Sequence, residues 1–260
     1  MPLTLSHPAA AVPLARWGLI LSALVVGSIS PDFLYFYCLS TRCQFGHTLL
    51  GIFLFDIPAG LVILWIFHRI LKQPLFSLFP ISHQQRLIPF VNEFQFFPLR
   101  RFLLIIVSLL IGTLTHIIWD SFTHYSGWVV QQLPILISPV IEIGQKTIRF
   151  HHILQHGSTL LGAALLLYWY MKWYRLAQGL PDNKLTPLSN KMRWQIILFI
   201  GLSAGVLGSI YGYLHFSPFS SFRSLHIFIQ YTVIASITIV FIELVIFSIF
   251  WHFLQKQSTF

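Results

Sequence analysis

The chain has 260 residues; 56% belong to the apolar and aromatic set AVILMFWYC, only 9% are charged, and the formal net charge is +9. A soluble globular domain carries about 25% charged residues, so an ordinary cytosolic enzyme, a disordered chain and a disulfide-scaffold miniprotein are excluded. The basic residues flank apolar runs, which assigns the charge to membrane orientation and argues against nucleic acid as a partner.

A membrane-spanning helix needs about 20 mostly apolar residues. The first apolar stretch, Leu14 to Ser30, is short of that, begins at Pro13 and Arg16, and contains Gly18 and Gly27. A signal peptide ending at the small residues Gly27 to Ser30 is disfavoured by the nearly uncharged, proline-rich segment before it. The segment Pro31 to Gly46 carries the only two cysteines, Cys38 and Cys43. They read as a small disulfide loop or as free thiols, depending on compartment.

Five clear spans follow: His47 to Phe67, Phe102 to Phe122, His152 to Tyr174, Trp194 to Tyr213, and Ser224 to Phe253, the last overlong and holding Glu243. Between the first two, Leu71 to Arg101 interleaves aromatics with prolines and suits the headgroup zone. Gln178 to Asn190 is a polar loop, Tyr168 to Tyr174 an interfacial aromatic belt, and Arg100-Arg101 and Lys191 to Arg193 membrane-edge anchors. The expected fold is one all-α, multi-pass transmembrane domain over residues 1–260. Within it, residues 1–46 make an N-terminal hairpin and loop, residues 47–174 the core helices, and residues 175–260 a C-terminal helix pair.

Orientation follows from Lys and Arg. Arg69, Lys72, Arg86, Arg100, Arg101, Lys172, Arg175, Lys184, Lys191, Arg193 and Lys256 fall on one side, against Arg42, Lys146, Arg149 and Arg223 on the other. The positive-inside rule puts the rich side and the C-terminus in the cytoplasm, which for a bacterial chain means the inner membrane. Asp32, His47, His116, Asp120, His124, His151, His152 and His156 then all fall at the extracytoplasmic ends of four segments. Ionisable groups in membrane segments are costly and are functional candidates.

His116 and Asp120 share a helical stripe, four residues apart, and His124 continues it; His152 and His156 repeat the spacing on the next helix. Residues 102–119 hold no Asp, Glu, Lys or Arg, so Asp120 needs a cation or a proton. Imidazole nitrogen with carboxylate oxygen is a ligand set for zinc or a similar divalent metal. The alternative is a chance grouping of interfacial histidines and helix caps. Asp56, nine residues after His47, reads as an outer or structural residue that Pro58 could re-aim by kinking the helix.

The opening MPLTLSHPAAAVPL, then GSISPDFLYF, GHTLLGIFLFDIP, LTHIIWDSFTH and ILQHGSTLLG resemble a family of bacterial membrane proteins known as domain-of-unknown-function 4184. The resemblance covers about residues 1 to 240. The family is similar in turn to the YdjM-like membrane-bound metal-dependent hydrolases. On this resemblance, His7, Asp32 (after Pro31), His47, His116 and Asp120 are metal ligands. The relatives often carry Asp-Ile-Asp where this chain has Asp32-Phe33-Leu34, which puts a full two-metal site in doubt.

With His7 as a ligand, residues 8–30 cannot form one straight helix, which would hold His7 about 35 Å from Asp32. A re-entrant hairpin broken between Pro13 and Gly18 brings it back, giving five spans plus the hairpin, with six straight spans as the alternative. The implied function is a metal-dependent hydrolase acting on a lipid or lipid-linked ester, foremost a phosphoester. In this reading a divalent cation, foremost zinc, activates water, Asp120 or Asp32 bridges if two bind, and His124, His152 and His156 are the catalytic candidates, as general acid, phosphate binder or further ligands. Arg149 and Lys146 would draw an anionic substrate. The rival readings are a structural membrane protein, a metal or proton transporter, and a haem-binding electron carrier.

Overall fold

A computed structural model describes residues 4–91, 94–143, 146–180, 188–215 and 222–257. Lys184 and the side chains of Lys146, Arg223 and Lys256, all used in the charge asymmetry, lie outside the described residues. The chain divides into two compact units. The first is Met1–Phe33, Phe45–Leu64 and Gln95–Arg175; the second is Leu34–Gln44, Trp65–Phe94 and Leu176–Phe260. Among the described residues, four helical stretches are long and apolar enough to cross a membrane: Leu49–Ser77, Leu99–Gln132, Asn190–His215 and Ser224–Gln255.

In the first unit, the N-terminal stretch is broken rather than straight. Helix α1 (Pro8–Ala11) runs into a 3-10 turn, Val12–Trp17, with Pro13 at its start. Gly18 ends that turn at φ 83°, a left-handed conformation that suits a residue without a Cβ. Helix α2 (Leu21–Gly27) leads back to a 3-10 turn, Ser30–Asp32. Thr4 Oγ1 donates to Asp32 Oδ2 at 2.7 Å, so the chain doubles back and its start meets a residue 28 positions later.

Helix α3 (Leu49–Ser77) starts at an N-cap, Thr48, whose hydroxyl accepts from Gly51 N at 3.0 Å. Pro58 lacks the N–H for the regular ladder, and the helix contains a π-helical turn, Ile52–Asp56, just before it. That turn, within a continuing helix, is what sets the direction of Asp56.

Helix α4 (Leu99–Thr123) is the axis of this unit. Its contact with α2 depends on two glycines: a Cβ on Gly27 would run into the Leu109 backbone, and one on Gly112 into the Leu24 carbonyl. Small residues let helix backbones approach this closely in membrane proteins. Leu24, Ile105 and Leu109 fill the surrounding core and are fully buried. Burying each contributes about 1.5–3 kcal/mol where the alternative is water. Polar bonds lock the contact: Thr113 Oγ1 donates to the Gly27 carbonyl at 3.2 Å, and Ile20 N donates to Ser108 Oγ at 3.0 Å.

Helix α5 (Phe150–Leu176) closes the unit. Its apolar middle lies between His151, His152, Gln155 and His156 at one end and the Tyr-, Trp- and Lys-bearing residues 168–175 at the other, and it is not among the four apolar stretches. Between α4 and α5 lies a feature absent from the all-α expectation: an antiparallel hairpin of β1 (Pro139–Ile143) and β2 (Lys146–Arg149). Its β-branched Val140, Ile141, Thr147 and Ile148 favour a strand.

In the second unit, helices α6 (Asn190–His215) and α7 (Phe222–Gln257) pack along their length. Gly208 lies directly against Ser236, whose hydroxyl donates to the Ala204 carbonyl at 3.0 Å. Cys38 and Cys43 are disulfide-bonded. The stretch expected in the headgroup zone is largely helical: α3 continues to Ser77, and a short helix, Ile81–Leu87, follows. Arg193, expected as a simple membrane-edge anchor, is buried, and its guanidinium donates to the Phe79 carbonyl at 2.8 Å and to Asn190.

Candidate metal centre

The first unit brings five of the expected side chains together. Asp32 comes from the turn after α2, His47 from the 3-10 turn Phe45–His47 before α3, and His116 and Asp120 from one stripe of α4. His7 comes from the residue before α1. His7, Asp32 and His116 are buried.

Four donor atoms form a closed ring. His47 Nε2 lies 3.4 Å from Asp32 Oδ1, which lies 3.7 Å from His116 Nε2. His116 Nε2 lies 3.3 Å from Asp120 Oδ2, which returns to His47 Nε2 at 3.6 Å. These separations exceed the roughly 2.7–2.9 Å of charge-assisted hydrogen bonds. They are close to the spacing of about 3.3–3.6 Å between neighbouring donors on arms of about 2.0–2.2 Å, the zinc–nitrogen and zinc–oxygen bond lengths, and two sets of donors lie within 4.8 Å among themselves: Asp32 with His47 and His116, and His7 with His116 and Asp120.

The surrounding contacts orient the ring members. His116 Nδ1 lies 2.8 Å from the Ser28 carbonyl, which can only accept, so Nδ1 carries the hydrogen. In the neutral ring the lone pair then sits on Nε2, facing Asp32 and Asp120. Such a bond from the far nitrogen is the usual outer support of a metal-bound imidazole. Thr4 occupies Asp32 Oδ2 and leaves Oδ1 for the ring.

Two histidines outside the apolar spans have displaced pKa values. Burial, reinforced by nearby His116, lowers His7 to about 4 and keeps it neutral, the form that binds metal. For His47, burial disfavours the charge, but the Asp120 and Asp32 carboxylates outweigh it and raise the pKa to about 9. A cation at His47 would therefore displace a proton.

The other expected residues fall unevenly. His124 caps α4, with Nδ1 3.4 Å from Asp120 Oδ1. His152 instead accepts from the Arg149 N–H at 3.2 Å, and His156 is exposed. Neither belongs to a group able to share a metal among the described residues. Arg149, expected to attract substrate, donates to the Ile137 carbonyl at 2.7 Å.

Two residues gain importance that their spacing does not signal. Asp56 is fully buried with no hydrogen-bond partner for either oxygen among the described residues, and it lies against the Gly46 backbone beside His47. His151 is buried, its Nδ1 donates to the Thr123 carbonyl at 3.3 Å, and its Nε2 is buried without a hydrogen-bond partner among the described residues. An acid close after a histidine is the one available signal for Asp56; His151 has none that sets it apart from His152.

Beside the ring lies a cleft of about 150 Å³. His7, Ala10, Trp119, Ser158, Leu161 and Leu165 are among its walls.

The geometry thus gives a buried His/Asp cluster able to hold a metal ion in a chain with four apolar helices. No curated protein and no solved structure matches the chain. A family model described as Domain of unknown function (DUF4184) matches residues 1–249, and the chain belongs to that family.

Proposed function

We propose that this protein is a membrane-embedded, metal-dependent hydrolase of a lipid or lipid-linked ester, foremost a phosphoester. The observation that carries the reading is the closed ring of two imidazole nitrogens and two carboxylate oxygens at 3.3–3.7 Å. That donor set suits zinc or a comparable divalent cation. Bound with one coordination position left open, such a cation would lower the pKa of a water there to about 7 and polarise an ester or phosphoryl oxygen.

The chain's own residues do the rest. His47 and His116 hold their Nε2 atoms toward the carboxylates, and the Ser28 carbonyl fixes the His116 tautomer. His124, at the edge of the cluster, is placed to take part in the chemistry; His152 and His156 have no contact with it among those described. The cleft beside His7, walled by Ala10, Trp119, Leu161 and Leu165, offers an apolar path for a lipid portion.

In the same reading, α5 joins the four apolar helices as a fifth span and residues 4–32 form a re-entrant hairpin. The cluster faces the extracytoplasmic side of a bacterial inner membrane, with the C-terminus in the cytoplasm. The charge asymmetry supports this sidedness.

The donors come from three separate chain segments, which also favours a second reading in which a cation only ties those segments together. The test is metal analysis of detergent-purified protein together with hydrolysis of a panel of lipid phosphoesters, for the wild type and His116→Ala. Bound metal and turnover in the wild type, both lost in the variant, are expected. Bound metal without turnover would leave the structural reading, and no bound metal would overturn both.

A further inference from the structure

We infer that the cluster holds two cations, not one, sharing the Asp120 carboxylate between them; this rests on the metal-centre reading above. The two oxygens of Asp120 face different partners. Oδ2 belongs to the closed ring with His47, His116 and Asp32. Oδ1 faces His7 Nε2 at 3.6 Å and His124 Nδ1 at 3.4 Å, the same spacing as the ring.

The donor atoms of His7, His116 and Asp120 lie within 4.8 Å of one another, yet the ring planes of the two histidines are set for separate cations. A metal-bound imidazole directs its lone pair within the ring plane, so a shared ion must lie near both planes. The His7 and His116 rings are stacked, with centroids 3.8 Å apart and planes only 20° from parallel. Nearly parallel planes at that spacing do not meet within a bond length of about 2.1 Å from either nitrogen. Each ring therefore serves its own ion, and each nitrogen faces its own oxygen of the same carboxylate.

The two positions differ in kind. The first offers Asp32, His47 and His116, with Asp120 Oδ2 beside them. The second offers Asp120 Oδ1 and His7, with His124 Nδ1 beside the same oxygen, and so keeps room for a ligand from outside. His124 is also the most exposed member, its side chain 31% accessible against 0% for His116, and Thr123 Oγ1 lies 3.3 Å from its Nδ1. This second position shares His7 with the adjacent cleft. It is therefore the place for a phosphoryl or ester oxygen to enter, with the ring ion acting as its fixed neighbour.

The experiment is metal-stripped protein in detergent, reloaded with Mn(II), with metal counted by mass spectrometry and ion–ion coupling read by electron paramagnetic resonance. Two ions per chain with a coupled spectrum are expected for the wild type. His124→Ala and His7→Ala should each hold one ion and give an uncoupled six-line signal. One uncoupled ion in the wild type, unchanged by His124→Ala, would overturn the second position and leave the ring. No ion in the wild type would overturn the metal centre itself. If either variant fails to fold by size-exclusion chromatography, the wild-type count and coupling decide alone.

Discussion

The ends of α4 and α5 carry the same sequence device and come to different ends. On α4, His116, Asp120 and His124 form one stripe and meet His7, Asp32 and His47. On α5, His152 and His156 have the same four-residue spacing, yet one binds a local N–H and the other is exposed. Spacing on a helix only aligns side chains with one another. What collects partners on α4 is the carboxylate in its stripe and the close approach of α2, which Gly27 and Gly112 permit. That contact delivers Ser28 and Asp32 to the same depth as His116.

The contrast breaks first at Asp120, which faces His7, His47, His116 and His124. Asp120→Ala should lower metal affinity more than about 100-fold, beyond the range of an outer-shell change. Equilibrium dialysis with zinc measures it. Retained affinity would mean that α4 is no more a metal-binding helix than α5.

Acidity sharpens the same contrast. His47 has a pKa of about 9 in the metal-free protein, so at pH 7 it holds a proton that a cation must displace. Affinity at the ring should rise by about tenfold per pH unit from 7 toward 9. Titration calorimetry in two buffers of different ionisation enthalpy should find about one proton released per ring ion at pH 7.5. The sign for stability of the metal-free protein is opposite. A raised folded-state pKa stabilises fully below the ordinary value of 6.5 and is lost as pH rises through about 9, so Tm without metal should fall across that window. A pH-independent affinity would remove His47 from the ring.

Much of this arrangement is legible in the sequence, and the misses have physical causes. Chain hydropathy locates four apolar helices, because a span needs a long apolar run, whereas the expected span His152 to Tyr174 is not among the four. Pro13 and Gly18 imply a broken N-terminal stretch, and the described backbone turns there. The β1–β2 hairpin escapes a sequence reading, since nine strand residues have little periodicity against a long loop. His116, Asp120 and Asp32 stand out as charges and imidazoles at apolar edges. Which histidines of α5 stay outside depends on packing, which spacing does not encode. Asp56 ends a π-helical turn that lies just before Pro58, a local feature that residue spacing does not encode.

Asp56 supplies a smaller effect. It contributes a buried carboxylate close enough to His47 and His116 to act on both electrostatically. Asp56→Asn keeps the shape and removes the charge. Zinc affinity should fall by about tenfold, the lower end of outer-shell effects, with the number of ions per chain unchanged. An altered ion count would instead make Asp56 a direct ligand, and an unaltered affinity would make it purely structural.

The smallest expected effect lies on α5. His152→Ala removes an acceptor from one backbone N–H, a loss of about 0.5–1.5 kcal/mol at most. His156→Ala removes an exposed side chain and should change stability by less than about 0.5 kcal/mol. The double variant should hold the wild-type number of ions, with zinc affinity within about twofold, because neither imidazole has a described contact with the cluster and effects of separate sites add. Metal counting and dialysis on the double variant measure this directly. A lost ion or a tenfold weaker affinity would show that α5 reaches the centre in solution. The carboxylate on α4 would then no longer explain why one stripe gathers partners and the other does not.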